Sequence, residues 1–363
     1  MVAIYNCVKY VFSIFYIQIY CLNYLERNLI AMSVVKTTII TGYLGAGKTT
    51  LINKILHQKH GLRIAVIVNE FGELGIDGDL ILNTNEEIIE LTNGCLCCSV
   101  RGDLLSALAS LQPRLKELDG VIIETSGLAD PAPVAQTFLI GEDQSENFEL
   151  DAVITLVDAR NGNSILTLEP EAISQVAFAD RLILTKTDLV SDVAISELRD
   201  ILSSLNPSAQ IFSASFGEVD LEAIMNIGAF DIDRLEVSPL AMTMDHEHSE
   251  DVKSLAFTSN QPIDPDRFMQ WMQQVIIFDG TRILRSKGVL DFAGETRRFV
   301  FQGVQTVLDG DVQGAWPEGP RESRLILIGR DLNEIALRKG WENCFASSLT
   351  SKTVPSNDGR RSS

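Results

Sequence analysis

From residue 32 onward the chain alternates short apolar runs with segments of helical period. Continuous apolar stretches fall at 34–40 (VVKTTII), 63–69 (RIAVIVN), 120–124 (GVIIE), 152–158 (AVITLVD), 181–186 (RLILTK) and 209–213 (AQIFS). Runs this short, without polar alternation, predict strands buried on both faces, as in a parallel sheet flanked by helices. Helical patterns lie between them, at 101–118, 171–179, 193–205 and 221–226. The alternation predicts a doubly wound, mostly parallel α/β domain over 32–230, whose ligands sit at the carboxyl ends of the strands.

The pattern breaks at 231–251. This stretch, DIDRLEVSPLAMTMDHEHSED, is acidic and aperiodic, and reads as a linker. A second pattern follows over 252–346. It predicts a strand at 252–258 and a helix at 265–277 behind an Asp264 cap. Strands follow at 282–285, 288–292, 298–302 and 324–328, then a helix at 332–339 that ends at Gly340. This is the pattern of a smaller α+β domain. The polar tail, 347–363, is expected to be disordered. Residues 1–31 match neither pattern. The uncharged run at 10–25 is short against the ~20 residues of a membrane helix, and no small-residue cleavage site follows it. The expectation is that translation starts at Met32 and that the protein has no membrane anchor.

Composition narrows the partners. The 363 residues carry a net charge of −19. An acidic surface argues against nucleic acid, whose recognition rests on Lys and Arg neutralising phosphates. Of the six cysteines, Cys7, Cys21, Cys95, Cys97, Cys98 and Cys344, three crowd into four positions. That is no disulfide framework, and in a reducing, cytoplasmic setting it points to metal or redox chemistry.

The candidate chemistry gathers at strand ends. After the first run comes Gly42-Tyr43-Leu44-Gly45-Ala46-Gly47-Lys48-Thr49-Thr50, then a helical segment. Strand, glycine-rich turn and helix, with a Lys-Thr pair, form a phosphate-binding loop. Gly42, Gly45 and Gly47 let the backbone curl, and the amides from Gly45 to Thr50 can face phosphate oxygens. Lys48 reaches the terminal phosphates and Thr49 can ligate Mg²⁺. Glu124 and Gly127, in ETSG, end another run: the acid can support Mg²⁺, and the glycine N–H can meet a γ-phosphate. Glu70 and Glu90 are further candidates for the Mg²⁺ shell. In Thr185-Lys186-Thr187-Asp188, Asp188 can accept from both donors on a guanine edge, and Lys186 can lay its stem along the base. Asn is usual where Thr185 stands. Lys48, Thr49 and Glu124 are the catalytic candidates.

Asn93-Gly94-Cys95-Leu96-Cys97-Cys98 is the most distinctive stretch. Three thiols so close favour a soft or borderline metal such as Zn²⁺, Co²⁺ or Cu⁺. They are too tightly spaced for a closed structural zinc site, and an open site suits transfer. A redox cluster and inert buried cysteines are the alternatives. His246 and His248, in the linker, could hold a metal transiently or simply be solvated.

Together GYLGAGKTT (42–50), VNEFGELGID (68–77), NGCLCCSVRGDL (93–104), ETSGLADP (124–131) and TKTD (185–188) resemble the CobW family of metal-handling P-loop GTPases. SKGVLDFAG (286–294), FVFQGV (299–304) and WPEGPRESRLILIGRDL (316–332) resemble that family's C-terminal domain. The resemblance implies a slow GTPase that uses GTP and Mg²⁺ and loads a metal, often Zn²⁺, into client metalloproteins. Cys95, Cys97 and Cys98 would bind the transferred metal. A nucleotide-gated interaction module and a cobalt-handling protein of cobalamin synthesis stay open as alternatives, as does homo-oligomerisation.

Overall fold

The computed structural model describes residues 34–58, 60–68, 87–90, 100–140, 145, 147–214, 219–221, 224–225, 227–228 and 252–346. The expectations for 1–31, 231–251 and 347–363 fall outside these. Among the described residues no helix is long and apolar enough to cross a membrane.

Seven strands form the first sheet: β1 (Val35–Gly42), β2 (Ile64–Val68), β3 (Glu87–Glu90), β4 (Gly120–Glu124), β5 (Phe148–Asp158), β6 (Arg181–Thr185) and β7 (Gln210–Ser213). Their order is β3-β2-β4-β1-β5-β6-β7, and every pairing is parallel. All of β2 is buried and so is nearly all of β1, as expected of strands covered on both faces. One face is covered by α1 (Lys48–His57), whose Leu51, Ile52, Ile55 and Leu56 pack on Ile40, Val66 and Ile154. The other face carries α2 (Val100–Leu111), α3 (Ala132–Ile140), α4 (Gly162–Leu168), α5 (Pro170–Phe178) and α6 (Asp192–Leu205).

The second sheet is antiparallel. It comprises β8 (Val252–Ser259), β9 (Ile283–Leu290), β10 (Arg297–Val304), β11 (Val307–Ala315) and β12 (Ser323–Arg330), ordered β11-β10-β9-β12-β8. Its own helices are α7 (Pro265–Asp279) and α8 (Glu334–Glu342). Asp264 caps α7 by accepting from the Arg267 N–H, and Phe268, Trp271, Met272 and Val275 form the buried stripe. Phe268 meets Phe301 edge to face, with ring centroids 5.6 Å apart. The opposite face of this sheet rests on the first domain. Val252, Leu284, Val304, Ile326 and Ile328 share one buried cluster with residues of β1, β4, α3 and α5. Arg285 and Lys287, level with Ile328 and Ile326 on β12, are buried on that face against Asp180.

Several element expectations need correction. The helix expected over 101–118 stops at Leu111, and a 3₁₀ turn, Gln112–Glu117, continues from it with Pro113 near its start. The runs at 282–285 and 288–292 are one strand, β9. Helices α3 and α4 and strands β3 and β11 were not expected. The helix expected at 332–339 begins at Glu334 and passes through Gly340.

Candidate functional site

The site grows from the carboxyl end of β1. Gly42 has φ 143°, and a Cβ there would lie 2.5 Å from the Leu156 carbonyl oxygen on β5. Only glycine lets the two strands run that close. The chain then turns, and Gly47, at φ 98°, opens α1 with no side-chain cap. The positive φ of Gly42, Gly45 and Gly47 gives the curl of a phosphate loop, and the positive end of a helix follows directly. Lys48 is buried and folds back over the loop, donating from Nζ to the Gly42 carbonyl at 2.7 Å and the Tyr43 carbonyl at 3.5 Å. Thr49 Oγ1 donates to Glu124 Oε1 at 3.4 Å, so the hydroxyl and the carboxylate share one spot.

β4 is fastened to β1 where both end. The Thr125 N–H donates to the Ile40 carbonyl at 3.0 Å, and Thr125 Oγ1 to Thr41 Oγ1 at 2.8 Å. A turn follows, closed by Ala129 N–H to the Ser126 carbonyl at 3.0 Å. Inside it Gly127 lies directly on the loop: a Cβ would meet Leu44 Cδ2, N and Cα at 2.7, 2.9 and 3.0 Å.

The end of β6 closes the other side. Thr185 Oγ1 donates to the Ala46 carbonyl at 2.7 Å, so the hydroxyl standing where Asn is usual still reaches the loop. Lys186 is left-handed, at φ 56°. Its Nζ donates to the Gly45 carbonyl and to Asp158 Oδ2, each at 2.8 Å. Asp188 stands exposed just beyond. Thr187 Oγ1 donates to the Ala214 carbonyl at 3.4 Å, bringing the segment after β7 alongside.

Three contributors were not singled out from sequence. Asp158, at the end of β5, holds Lys186 and also accepts from the Arg160 N–H and from Asn161 Nδ2. Burial pushes its carboxyl upward, but the bonds from Lys186, Asn161 and Arg160 outweigh it and leave the carboxyl below its ordinary range. Tyr43, on the loop, has its hydroxyl pushed up by burial and by the Glu169 carboxylate, which precedes α5. Gln175, on α5, is 1% exposed and donates from Nε2 to the carbonyls of Gly127, at 3.0 Å, and Ala129, at 3.1 Å. Its sequence signal is a polar residue in a run of buried positions, Ala172 to Phe178.

The structure therefore brings together Gly42, Gly45, Ala46, Gly47, Lys48, Thr49, Glu124, Gly127 and Lys186, with Thr50 in the same first turn of α1. Glu90 ends β3 level with Val68, which is in turn level with Glu124. It is thus two strands, or roughly 10 Å of backbone, from the acid beside Thr49. Glu70, Cys95, Cys97, Cys98, His246 and His248 lie outside the described residues. Among the described residues no group of three or more His, Cys, Asp or Glu is placed to hold a metal ion. Cys344 is buried, and burial pushes its thiol up to about 11, which makes it inert.

A family model described as the CobW/HypB/UreG nucleotide-binding domain matches residues 36–213. A second, the cobalamin synthesis protein cobW C-terminal domain, matches 252–345. The chain is similar to the zinc chaperone YjiA of Escherichia coli, at 36% identity over 315 residues, covering 85% of this chain and 98% of that protein. It is also similar to the zinc-regulated GTPase metalloprotein activator 1 of Schizosaccharomyces pombe, at 32% identity over 345 residues, covering 83% and 84%. Among solved structures, Zn(II)-bound YjiA GTPase from E. coli matches with a TM-score of 0.73 at 32% identity, over 87% of this chain and all of that one.

Proposed function

The chain belongs to the CobW family, and on that premise we propose that it is a GTP-hydrolysing zinc metallochaperone, which loads Zn²⁺ into client metalloproteins in the cytoplasm. The observation that carries the GTPase reading is the convergence of three strand ends on one glycine-turned loop. Lys48 folds over the loop, Thr49 meets Glu124, and Lys186 is braced against Gly45. The zinc reading is supported by relatives named as zinc chaperones and matched over nearly their whole length.

In this reading the loop amides and Lys48 take the β- and γ-phosphates, and Lys48 exchanges its bond to the Gly42 carbonyl for phosphate oxygens. Asp188 accepts from the guanine edge while the Lys186 stem lies along the base. A base lacking those donors would leave the carboxylate unpaired, at a cost of about 1–3 kcal/mol. Thr49 and Glu124, with Glu70 or Glu90 as further candidates, offer the hard oxygen donors that suit Mg²⁺. When bound, that ion neutralises charge on the phosphates. Gly127 offers its N–H to the γ-phosphate. The chain supplies position and electrostatics, and no strong general base is needed. Cys95, Cys97 and Cys98 hold the transferred metal, since thiolates select Zn²⁺ or Co²⁺ over the hard cations.

The test is equilibrium competition for Zn²⁺ against a chromogenic chelator, with GDP and with a non-hydrolysable GTP analogue. The affinity is expected to differ between the two nucleotides and to collapse in a Cys95→Ser/Cys97→Ser/Cys98→Ser variant. Equal affinity with both nucleotides would refute nucleotide-coupled loading. Zinc binding that survives the triple variant would refute the thiolate site.

A further inference from the structure

The turn Ser126–Ala129, which in the proposed reading meets the γ-phosphate, is clipped from behind. Both amide protons of Gln175 are spent on it, one on the Gly127 carbonyl and one on the Ala129 carbonyl. Rotating the amide by half a turn would set its oxygen against two carbonyl oxygens, so the orientation follows from the environment. Its Oε1 has no hydrogen-bond partner among the described residues. With the Ala129 N–H closing on the Ser126 carbonyl, the turn is tied at both ends and at its middle.

The clip is mounted on a firm base. The Gln175 carbonyl accepts from Thr155 Oγ1 of β5 at 2.8 Å, and α5 is buried from Ala172 to Phe178. On its far side α5 meets the second sheet, where Arg330 donates to Ser174 Oγ at 2.7 Å and to the Pro170 carbonyl at 3.2 Å. Gly127, in front, has no spare room: a Cβ there would fall 2.7–3.0 Å from Leu44 of the phosphate loop. The distance between the Gly127 amide and the phosphate cradle is thus set by a side chain that never reaches the nucleotide.

We propose that Gln175 is a positioning residue for GTP hydrolysis, holding the Gly127 amide at γ-phosphate height. This rests on the reading that Gly127 N–H meets the γ-phosphate. Removing the amide strips two buried carbonyls of their partner and lets the turn settle elsewhere. The loss falls on contacts to the third phosphate. The diphosphate contacts, made by the loop and the start of α1, are left intact.

The experiment uses the full chain with Gln175→Leu and Gln175→Glu, checked for fold by far-UV circular dichroism and GDP binding. For Gln175→Leu, kcat and affinity for a non-hydrolysable GTP analogue are expected to fall about tenfold, the scale of one net hydrogen bond. GDP affinity stays within twofold. Gln175→Glu places a carboxylate against two carbonyls and is as slow at neutral pH. Its kcat recovers relative to wild type as the pH is lowered and the protonated acid donates to one of them. Equal losses of GDP and GTP-analogue affinity, or a Gln175→Glu profile parallel to wild type, would reduce Gln175 to a merely structural part and overturn the proposal. Gly127→Ala separates the two levels. If it hydrolyses GTP normally, the underlying reading of Gly127 fails. If it is impaired while both Gln175 variants are normal, only the Gln175 assignment fails.

Discussion

Two buried cations of the second sheet face the carboxylate of Asp180, and replacing it by Asn should loosen the contact between the domains. Arg285 Nη2 donates to Asp180 Oδ1 at 3.1 Å, Lys287 Nζ bonds the same oxygen, and Oδ2 accepts the Val153 N–H at 2.7 Å. The carboxyl is fully enclosed. Burial pushes its pKa upward, but Lys287, Arg285 and the Val153 amide outweigh that and lower it. Lys287 is lowered too, by burial first and then by the neighbouring Arg285 charge, against the pull of Asp180. Asp180→Asn takes from two buried cations the carboxylate that both of them bond. Breaking a buried pair in this way costs about 3–5 kcal/mol, whereas replacing the whole group by apolar residues is often neutral. In a unit of this size that corresponds to a fall in Tm of roughly 6–20 °C.

Trp271, Trp316 and Trp341 are the chain's three tryptophans, and all lie in the second domain. Urea titration followed by tryptophan fluorescence therefore reads that domain. The variant Asp180→Leu/Arg285→Met/Lys287→Met should recover most of the loss. The sign with pH follows from the lowered Asp180 pKa. Its contribution is complete above the ordinary carboxylate range and is lost as the pH falls below it, and Asp180→Asn lacks this acid-sensitive part. A loss under about 1 kcal/mol for Asp180→Asn, the scale of a solvated pair, would refute the reasoning. So would an apolar triple variant as unstable as the single one.

Asp158→Asn should free Lys186 from its anchor and weaken GTP and GDP alike, by about 3–10-fold in titrations with fluorescent nucleotides, since Lys186 is partly exposed. A loss confined to GTP would place Asp158 on the wrong side of the site. Gly340→Ala would put a methyl 2.0 Å from Trp271 Nε1 and should cost about 1–3 kcal/mol by overpacking, visible as a lowered midpoint in tryptophan-monitored unfolding; an unchanged midpoint would mean that the helix pair repacks freely.

What could be read from the sequence is what is local. The phosphate loop announces itself because strand, turn and helix are contiguous, and the parallel strands because each is one unbroken apolar run. α3 escaped because Ala132–Ile140 is apolar around most of its circumference and carries prolines at its start, where they look like breaks but fit the first turn. β11 escaped because it is an edge strand with Gly310, Gly314 and exposed acids, defined only by pairing with β10. The sequence splits β9 in two because Ser286 and Lys287 read as a surface interruption. Lys287, like Arg285, is buried because Asp180, more than a hundred positions earlier, neutralises it. Gly340 was read as a helix stop, whereas it clears space for the Trp271 ring. Gln175 and Asp158 were missed for the same reason: each acts on a segment remote in sequence.

These remote contacts bear on how the two domains communicate. The second sheet lies between α7 and α8 on one face and the helices of the first domain on the other. Swinging it away would expose Leu284, Val304, Ile326 and Ile328 together with the charges of Arg285, Lys287 and Asp180. Exposing apolar side chains of this size costs about 1.5–3 kcal/mol each, more than one γ-phosphate contact returns. A large opening driven by hydrolysis is therefore the expensive route. The cheap route is a small shift of α5, which touches the turn at Gly127 through Gln175 and the second sheet through Ser174 and Pro170. Packed cores favour discrete small displacements over continuous bending. A helix tied to the nucleotide side at one residue, and to the second domain at the next, has the connectivity that such a displacement requires.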